Sequence, residues 1–487
     1  MSRNFLKFWI FLSCLLVIII SFSLGSQEGI TDKSKDKWQE FKTFDEAGFS
    51  SEKMELARQY WETLKPAAAS IFIVYKGKVL VAWGRTTYPF LCHSIRKSFL
   101  SALYGIHVEE GHIDLQKTMA ELNIDDDPPL TEEEKQAKVI HLLKARSGVY
   151  HEAAAETLEM RELRPPRGSH PPGTFWYYNN WDFNALGTIF EQETGMKIFE
   201  DFKRRIADPI GMQDFKVSDC NYYYELQYSI HPAYVFRMSA RDRARFGLLF
   251  LQEGRWKNEQ LITKLWIKKS TKSYSDASLG DEEMKGSGYG LMWWTLAKET
   301  PILKHWKHVA KIGPLFYASG YKGHVILIMP NLEMVFVQVV DTDQGLEVEQ
   351  PESFTLMDMI LDAKEFEIFD LAALETWFGS ITVPAGGEVN LLARVENLSQ
   401  KKSNAASVSF YFSVNKALDK KDVLIGQSGL PRIKSNNKKV VILTSTLPAT
   451  VGPGDYYLIV AVDEEDKNHD PHKENNVAVS TEKMTIY

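Results

Sequence analysis

The sequence predicts an α+β domain followed by an all-β sandwich. Three observations lead there. β-rich runs near residues 70–84 and 324–340 bracket a middle stretch of mostly helical pattern, which points to one antiparallel sheet closed by its two ends rather than to alternating parallel units. After about residue 378 the helical pattern stops, and short β-rich runs separated by turn residues take over. The chain has 487 residues, 44% hydrophobic and 25% charged, a composition that suits two or three domains with large cores.

The first element is "MSRNFLKFWIFLSCLLVIIISFSLG" (1–25). Arg3 and Lys7 precede an apolar run from Phe8 to Leu24, and Ser23-Leu24-Gly25 supplies a small-x-small pattern, so the segment reads as an export signal. The run is about 17 residues, the lower limit for spanning a bilayer, which keeps a membrane anchor at residues 8–24 as the alternative. Either reading implies an exported protein, whether periplasmic, extracellular or membrane-anchored. Cys14 is a poor lipoprotein acceptor because Phe11 precedes it and the apolar run continues past it. Without this segment two cysteines remain, Cys92 and Cys220, too few for a disulfide framework. Cys92 reads as a small buried residue.

Residues 26–50 form a polar lead-in, and residues 51–365 form the α+β domain. Its first helix is expected at 51–64, with Leu56, Tyr60 and Leu64 on one face. "SIFIVY" and "VLVAWG" make a hairpin turning at Gly77. "PPRGSHPPG" (165–173) is a loop that cannot be helical. "HVILIMPNLEMVFVQVV" (324–340) is a second hairpin turning at Pro330-Asn331. Residues 353–364 read as a helix with Ser353 as N-cap. A linker is expected at 366–378, and a β-sandwich at 379–487. In the sandwich, "SVSFYFSV" puts Val408, Phe410 and Phe412 on one face.

Charge and motifs exclude several functions. A net charge of −7 argues against nucleic-acid binding. There is no Gly-x-Ser-x-Gly elbow and no His-Glu-x-x-His. His305 and His308 have a ligand-like spacing but no apparent third ligand, and both read as surface residues. No metal or organic cofactor is implied.

The candidate chemistry begins at "LCHSIRKSFLSALYGI" (91–106). Ser-x-x-Lys spacing alone is weak, since Ser34, Ser50, Ser319, Ser399, Ser413, Ser435 and Ser480 also have lysine three residues on. Only Ser94 stands where an extended stretch gives way to an apolar helix. On a helix, positions i and i+3 are neighbours, so the Lys97 amine can reach the Ser94 oxygen. Unpaired N–H groups and the positive dipole end at a helix start favour developing negative charge. Apolar surroundings lower a lysine pKa toward a usable base; Arg96 is expected to turn outward. Two further segments join it. "PPGTFWYYNNWDFNALG" (171–187) sets aromatic and amide side chains before a helix, with Asp182 and Asn184 read as capping or packing. "YASGYKGHVILIMP" (317–330) has Ser319-Gly320 at the start of an apolar strand, where Gly320 and Gly323 permit close backbone approach.

These three motifs, in this order, resemble the serine β-lactamase and penicillin-binding-protein superfamily, most closely its class C β-lactamase-related and 6-aminohexanoate-dimer-hydrolase-like members. The resemblance covers about residues 50–365 and implies an antiparallel sheet with helices on both faces and a helical insertion. Ser94-Ile95-Arg96-Lys97 matches the first motif. The second, Tyr-x-Asn, fits either Tyr177 with Asn179 or Tyr178 with Asn180; the spacing from Gly173 and to Leu186-Gly187 favours Tyr178 and Asn180. The third is Ala318-Ser319-Gly320, where the family commonly has a lysine or histidine in place of Ala318; Lys322 or His324 are candidate substitutes. The resemblance implies Ser94 as nucleophile, Lys97 and Tyr178 as proton-transfer groups, and the backbone N–H groups of Ser94 and Tyr321 as oxyanion donors. It also implies that Asn180, Ser319 and Gly320 position a small ester or amide substrate. The absent cation favours substrates without a carboxylate. Two other readings stay open: an inactive cell-surface binding protein on the same scaffold, and a D,D-peptidase or β-lactamase.

The C-terminal region, through "GDYYLIVAVDEEDKNHDPHKENN", resembles the CARDB cell-adhesion-related sandwich, an Ig-like all-β fold. That implies a cell-surface protein or polysaccharide as partner. Asp463, Glu464, Glu465, Asp466 and Asp470 could suggest calcium, but are read as a solvated loop.

Overall fold

The computed structural model describes residues 37–278, 282–297, 300–364, 369–399, 401–468, 470 and 472–487. The signal or anchor expected at 1–25 lies outside them. Among the described residues no helix is long and apolar enough to cross a membrane.

Strands that are apolar at nearly every position need cover on both faces, and the first domain supplies it. Strands β1 (Ala68–Tyr75), β2 (Lys78–Gly84), β3 (Ser275–Asp276), β4 (Ser287–Tyr289), β5 (Trp294–Leu296), β6 (Leu315–Gly320), β7 (His324–Met329) and β8 (Met334–Val340) form one sheet in the order β2-β1-β8-β7-β6-β5-β4-β3. Neighbouring strands are antiparallel throughout. The pairing of β1 with β8 closes the sheet with its chain ends, as the two hairpin signals require. Side-chain alternation sends Phe72, Val74, Ile326, Ile328, Val335 and Val337 into one core. Ile71, Ile73, Leu327, Met329, Met334 and Phe336 enter the other.

The second core is covered by α1 (Ser51–Leu64) and α5 (Gln350–Asp362), which pack on each other. Here two expectations are corrected. The buried face of α1 is Met54, Ala57 and Trp61, whereas Leu56 is 51% exposed. Trp61 wins the inward position by stacking on Trp83, ring centres 5.6 Å apart. Helix α5 begins three residues early, capped by Glu349 and Glu352 in a reciprocal box, so Ser353 is not the cap; its hydroxyl accepts from Gln338 Nε2 at 2.7 Å. His308 is not a free surface residue either. It bridges Asp358 (3.0 Å) and Asp362 (2.9 Å) on α5.

The first core lies under α2 (Arg96–Glu109), α3 (Asn180–Thr194) and α4 (Ala240–Leu251). Helix α4 crosses β1, β7 and β8. Its close approach is made at Gly247, where an added Cβ would stand 2.5 Å from Val335 Cγ1.

The C-terminal domain has a three-stranded sheet (Leu371–Phe378, Glu388–Asn397, Lys438–Thr446) and a five-stranded one. The latter contains Thr382–Val383, Ala406–Ser413, Val423–Leu430, Gly454–Val462 and Val477–Ile486. Val408, Phe410 and Phe412 face the shared core with Leu391, Ala393 and Val395 of the other sheet. The linker expected at 366–378 is corrected: Leu371–Phe378 is an integral strand paired along Asn397–Leu391. The acidic segment is also more ordered than a solvated loop. Asp463 accepts from the backbone of Lys467 and Asn468, and Asp470 from Leu371 and His472; both side chains are buried.

Gly247→Ala is expected to destabilise the first domain by about 1–3 kcal/mol, because the helix must lift from the sheet to admit the methyl group. Urea unfolding measures this; an unchanged midpoint would mean that the α4–sheet spacing is not set here.

Candidate active site

The site forms where the extended Phe90–Leu91 segment turns into α2. Buried Arg243 donates to the carbonyls of Phe90 (2.9 Å) and Leu91 (3.0 Å), and Cys92 N–H donates to Phe236 O (2.9 Å). A single turn of 3₁₀ helix, His93–Ile95, then precedes α2. His93 has φ +47°, an unusual conformation for a side chain with a Cβ. It is held there by a 2.8 Å hydrogen bond from its ring to Thr342 Oγ1. Cys92 is wholly buried, as expected of it.

Helix α2 is buried from Arg96 to His107 without interruption. It therefore has no solvent face on which a lysine can place its charge. Lys97 is 2% exposed, and its Nζ lies 2.8 Å from Ser94 Oγ. The amine stands 4.7 Å from the Tyr178 ring centre and 4.9 Å from that of Phe183. Burial pushes its pKa well below the usual lysine value, and the Arg96 charge pushes the same way.

That second influence overturns the expectation that Arg96 points outward. Arg96 is 4% exposed; its Nη2 donates to Asn184 Oδ1 at 2.7 Å, and its guanidinium lies 4.2 Å from the Tyr234 ring centre. Asn184, read from sequence as packing, thus fixes the cation beside Lys97 and donates in turn to Ala154 O (3.0 Å).

Tyr178 completes the cluster. Its hydroxyl feels the Ser94 side chain, and burial holds its pKa up at about 12 in spite of that neighbour and the Arg96 charge. The ring is wedged among Phe183, Tyr289 and Trp294, with centres 5.1, 5.9 and 5.3 Å away. The two sequence registers of Tyr-x-Asn separate cleanly. Asn179 caps α3 by accepting from Trp181 N–H and donates to Val149 O, and the Tyr177 hydroxyl is spent on Met160 O. Asn180, the first residue of α3, donates Nδ2 to Ala155 O at 2.7 Å and leaves its buried Oδ1 without a protein partner beside the cavity. Asp182 is tied to Ser147 and Asn179.

From the opposite side, β6 brings Ser319 and Gly320. They end this strand, whereas the sequence suggested that they begin one; β7 starts at His324. Gly320 allows the strand to press against the Ser94 turn: a Cβ there would stand 2.8 Å from Cys92 O. Tyr321 follows on the exposed turn. Ala318 is buried in the first core, and neither candidate stand-in replaces the family's cation. Lys322 Nζ donates to Gly345 O at 3.1 Å. His324 takes a bond from Arg243 Nη1 on Nδ1 at 3.0 Å, and burial, Arg243 and His93 keep it neutral, well below the usual histidine range. Its buried Nε2 has no protein partner and borders the cavity.

The cavity has a volume of about 1030 Å³ and contains Ser94, Lys97, Tyr178, Asn180, Ser319 and Tyr321 in its walls. The rest mixes aromatic side chains, notably Trp176, Trp294 and Tyr317, with aliphatic ones, with Glu159, Glu347 and Glu349 as acidic members and Arg96 and Lys322 as basic ones. The structure thus brings every site residue expected from sequence to one cavity. Around them it sets Arg96, Asn184 and Arg243, of which Arg96 had a legible signal as a charge in a helix apolar on all sides, and it places His324, weighed from sequence as a substitute cation, in the cavity wall.

The β-lactamase family model matches residues 55–354, more than half of the chain, and the chain belongs to that family. The CARDB model matches residues 370–480. Similar solved structures include a protein assigned as a 6-aminohexanoate-dimer hydrolase from Bacillus anthracis, at 20% identity, covering 63% of this chain and 80% of that one, TM-score 0.46. A D-alanine carboxypeptidase AmpC from Burkholderia cenocepacia matches at 15% identity over 64% and 99%, TM-score 0.47. A β-lactamase from Sulfitobacter sp. EE-36 matches at 14% identity over 64% and 97%, TM-score 0.47. No match was found among curated proteins.

Burying a neutral amine has a linkage consequence. In the unfolded chain Lys97 is protonated up to the ordinary lysine range, so between its lowered folded-state pKa and that range the unfolded state binds more protons and folding is penalised. The penalty fades as pH rises toward about 10. Lys97→Met is expected to stabilise the protein at pH 7 by about 1–2 kcal/mol while abolishing turnover, with the gain shrinking at alkaline pH. Denaturation of both proteins across pH checks the sign; a destabilised Met variant at every pH would contradict it.

Proposed function

We propose that this protein is an exported serine hydrolase that cleaves an ester or amide bond through an acyl-enzyme on Ser94. The observation that carries this reading is the 2.8 Å contact between Ser94 Oγ and the amine of a lysine that is only 2% exposed. The neutral Lys97 amine accepts the Ser94 proton as Oγ attacks the carbonyl carbon. The Ser94 and Tyr321 backbone N–H groups hold the resulting oxyanion, donors of a kind worth about 3–4 kcal/mol each. Tyr178 passes its proton to the leaving alcohol or amine and is reprotonated from Lys97. Water then attacks the acyl carbon, gives its proton back through the same pair, and frees Ser94. Asn180 Oδ1, Ser319 and Gly320 position the substrate.

The cavity walls favour an apolar or aromatic substrate body. Ala318 supplies no cation for a carboxylate, and in the cavity walls Glu159, Glu347 and Glu349 outnumber the cations Arg96 and Lys322. A neutral or positively charged substrate suits these walls. Export fits the apolar segment at residues 8–24. The CARDB domain is proposed to bind a cell-surface protein or polysaccharide and so hold the hydrolase near its substrate.

A fluorophosphonate is expected to label Ser94 stoichiometrically, and p-nitrophenyl esters to be hydrolysed by wild type but not by Ser94→Ala. Tyr178→Phe should keep the fold and lose about 10²–10³ in kcat, the size of a general-acid contribution. Absence of both labelling and turnover would favour the inactive binding protein, a reading motivated by Ala318 and the appended sandwich. A penicilloyl mass increment on Ser94 would favour the lactam-handling alternative.

A further inference from the structure

At the far end of α2 from Ser94, three potential ligands converge. We propose that His107, Glu110 and His112 form a binding site for a zinc-class divalent cation. His107 is buried, and its Nε2–H donates to Asp201 Oδ2 at 2.7 Å. The Asp201 side chain is fully buried and is held in turn by Arg204 at 2.6 Å. A carboxylate on Nε2 fixes the histidine tautomer and leaves Nδ1 with a free lone pair, the arrangement that supports metal-bound histidine. That lone pair faces His112 Nδ1 at 3.0 Å. Glu110 Oε2 is 3.4 Å from His112 Nδ1 and 4.0 Å from His107 Nδ1. The other Glu110 oxygen pairs with Arg205.

The chemistry of this set is specific. Two imidazole nitrogens and one carboxylate are a common zinc donor set, and tetrahedral zinc at about 2.0–2.1 Å from each ligand separates the ligand atoms by roughly 3.3 Å. The three observed separations bracket that value. Without a cation, two nitrogens this close need a proton between them, and a bound cation would take that proton's place. The 53% exposure of His112 opens the entry path and leaves a fourth position to water.

The site is not part of the reaction centre. Ten helical residues separate His107 from Lys97, about 15 Å along the axis. Its effect is on the helix: the cation would pin the 110–112 turn to the end of α2, which Asp201 already joins to the helix Ile198–Phe202. The helix that carries Lys97 would then be clamped at both ends.

The test uses untagged full-length protein stripped with chelator, titrated calorimetrically with ZnCl₂ and spectroscopically with CoCl₂. Wild type is expected to bind one equivalent, with tetrahedral Co(II) bands and a raised thermal midpoint. His112→Ala should weaken binding at least tenfold. Asp201→Asn should weaken it roughly 10–100-fold, as loss of an outer carboxylate typically does. Glu110→Gln, a surface change, provides the same readout if either variant folds poorly. No saturable one-to-one binding by wild type would overturn the proposal, as would unchanged affinity in both His112→Ala and Glu110→Gln.

Discussion

The burial of the Lys97 amine is the constraint on which the rest of this molecule depends. A lysine in water is an acid at neutral pH and cannot take a proton from serine. Here the helix that carries it is covered on every side by α3, α4, the sheet and the aromatic loop, and the nearest charge is Arg96, another cation. A carboxylate in the position of Arg96 would hold the amine charged. The same burial acts oppositely on Tyr178, which it keeps protonated. One buried cluster therefore separates a base from an acid less than a side chain apart, a division of roles set by environment rather than by residue type.

Architecture delivers that burial. The sheet needs both faces covered because its strands are apolar at almost every position, and the helical half that covers one face includes α2. Gly247 lets α4 settle on the sheet, and Gly320 lets β6 press on the Ser94 turn. Arg243, with its bonds to the carbonyls of Phe90 and Leu91, holds the chain that enters that turn. At Ala318 the strand contributes an apolar side chain to the first core, and the cavity beside it carries acidic and basic residues together.

Much of this was legible in the sequence, and the failures have physical causes. Hairpins announced themselves through β-rich runs and the turn residues between them, Gly77 in the first. The Ser94–Lys97 contact was legible because it is a local, one-turn relation. Arg96–Asn184 and Arg243–His324 were not, since their partners lie 88 and 81 residues apart. Helix α1 was placed correctly but rotated, because Leu56 and Tyr60 compete with Met54 and Trp61 for the inward face and only tertiary packing on Trp83 decides. The strand Leu371–Phe378 was missed as a linker because a bulge between Ala373 and Glu375 breaks its alternation. Glu349 and Glu352 start α5 ahead of Ser353, the more conventional cap.

The central claim is a statement about one proton. With lysines labelled at the terminal nitrogen or carbon and the Lys97 signal assigned by Lys97→Met, its resonance can be followed by NMR across pH. The account predicts a Lys97 titration far below that of the other lysines, with the amine neutral at pH 7. A Lys97 signal that titrates together with the surface lysines would contradict it.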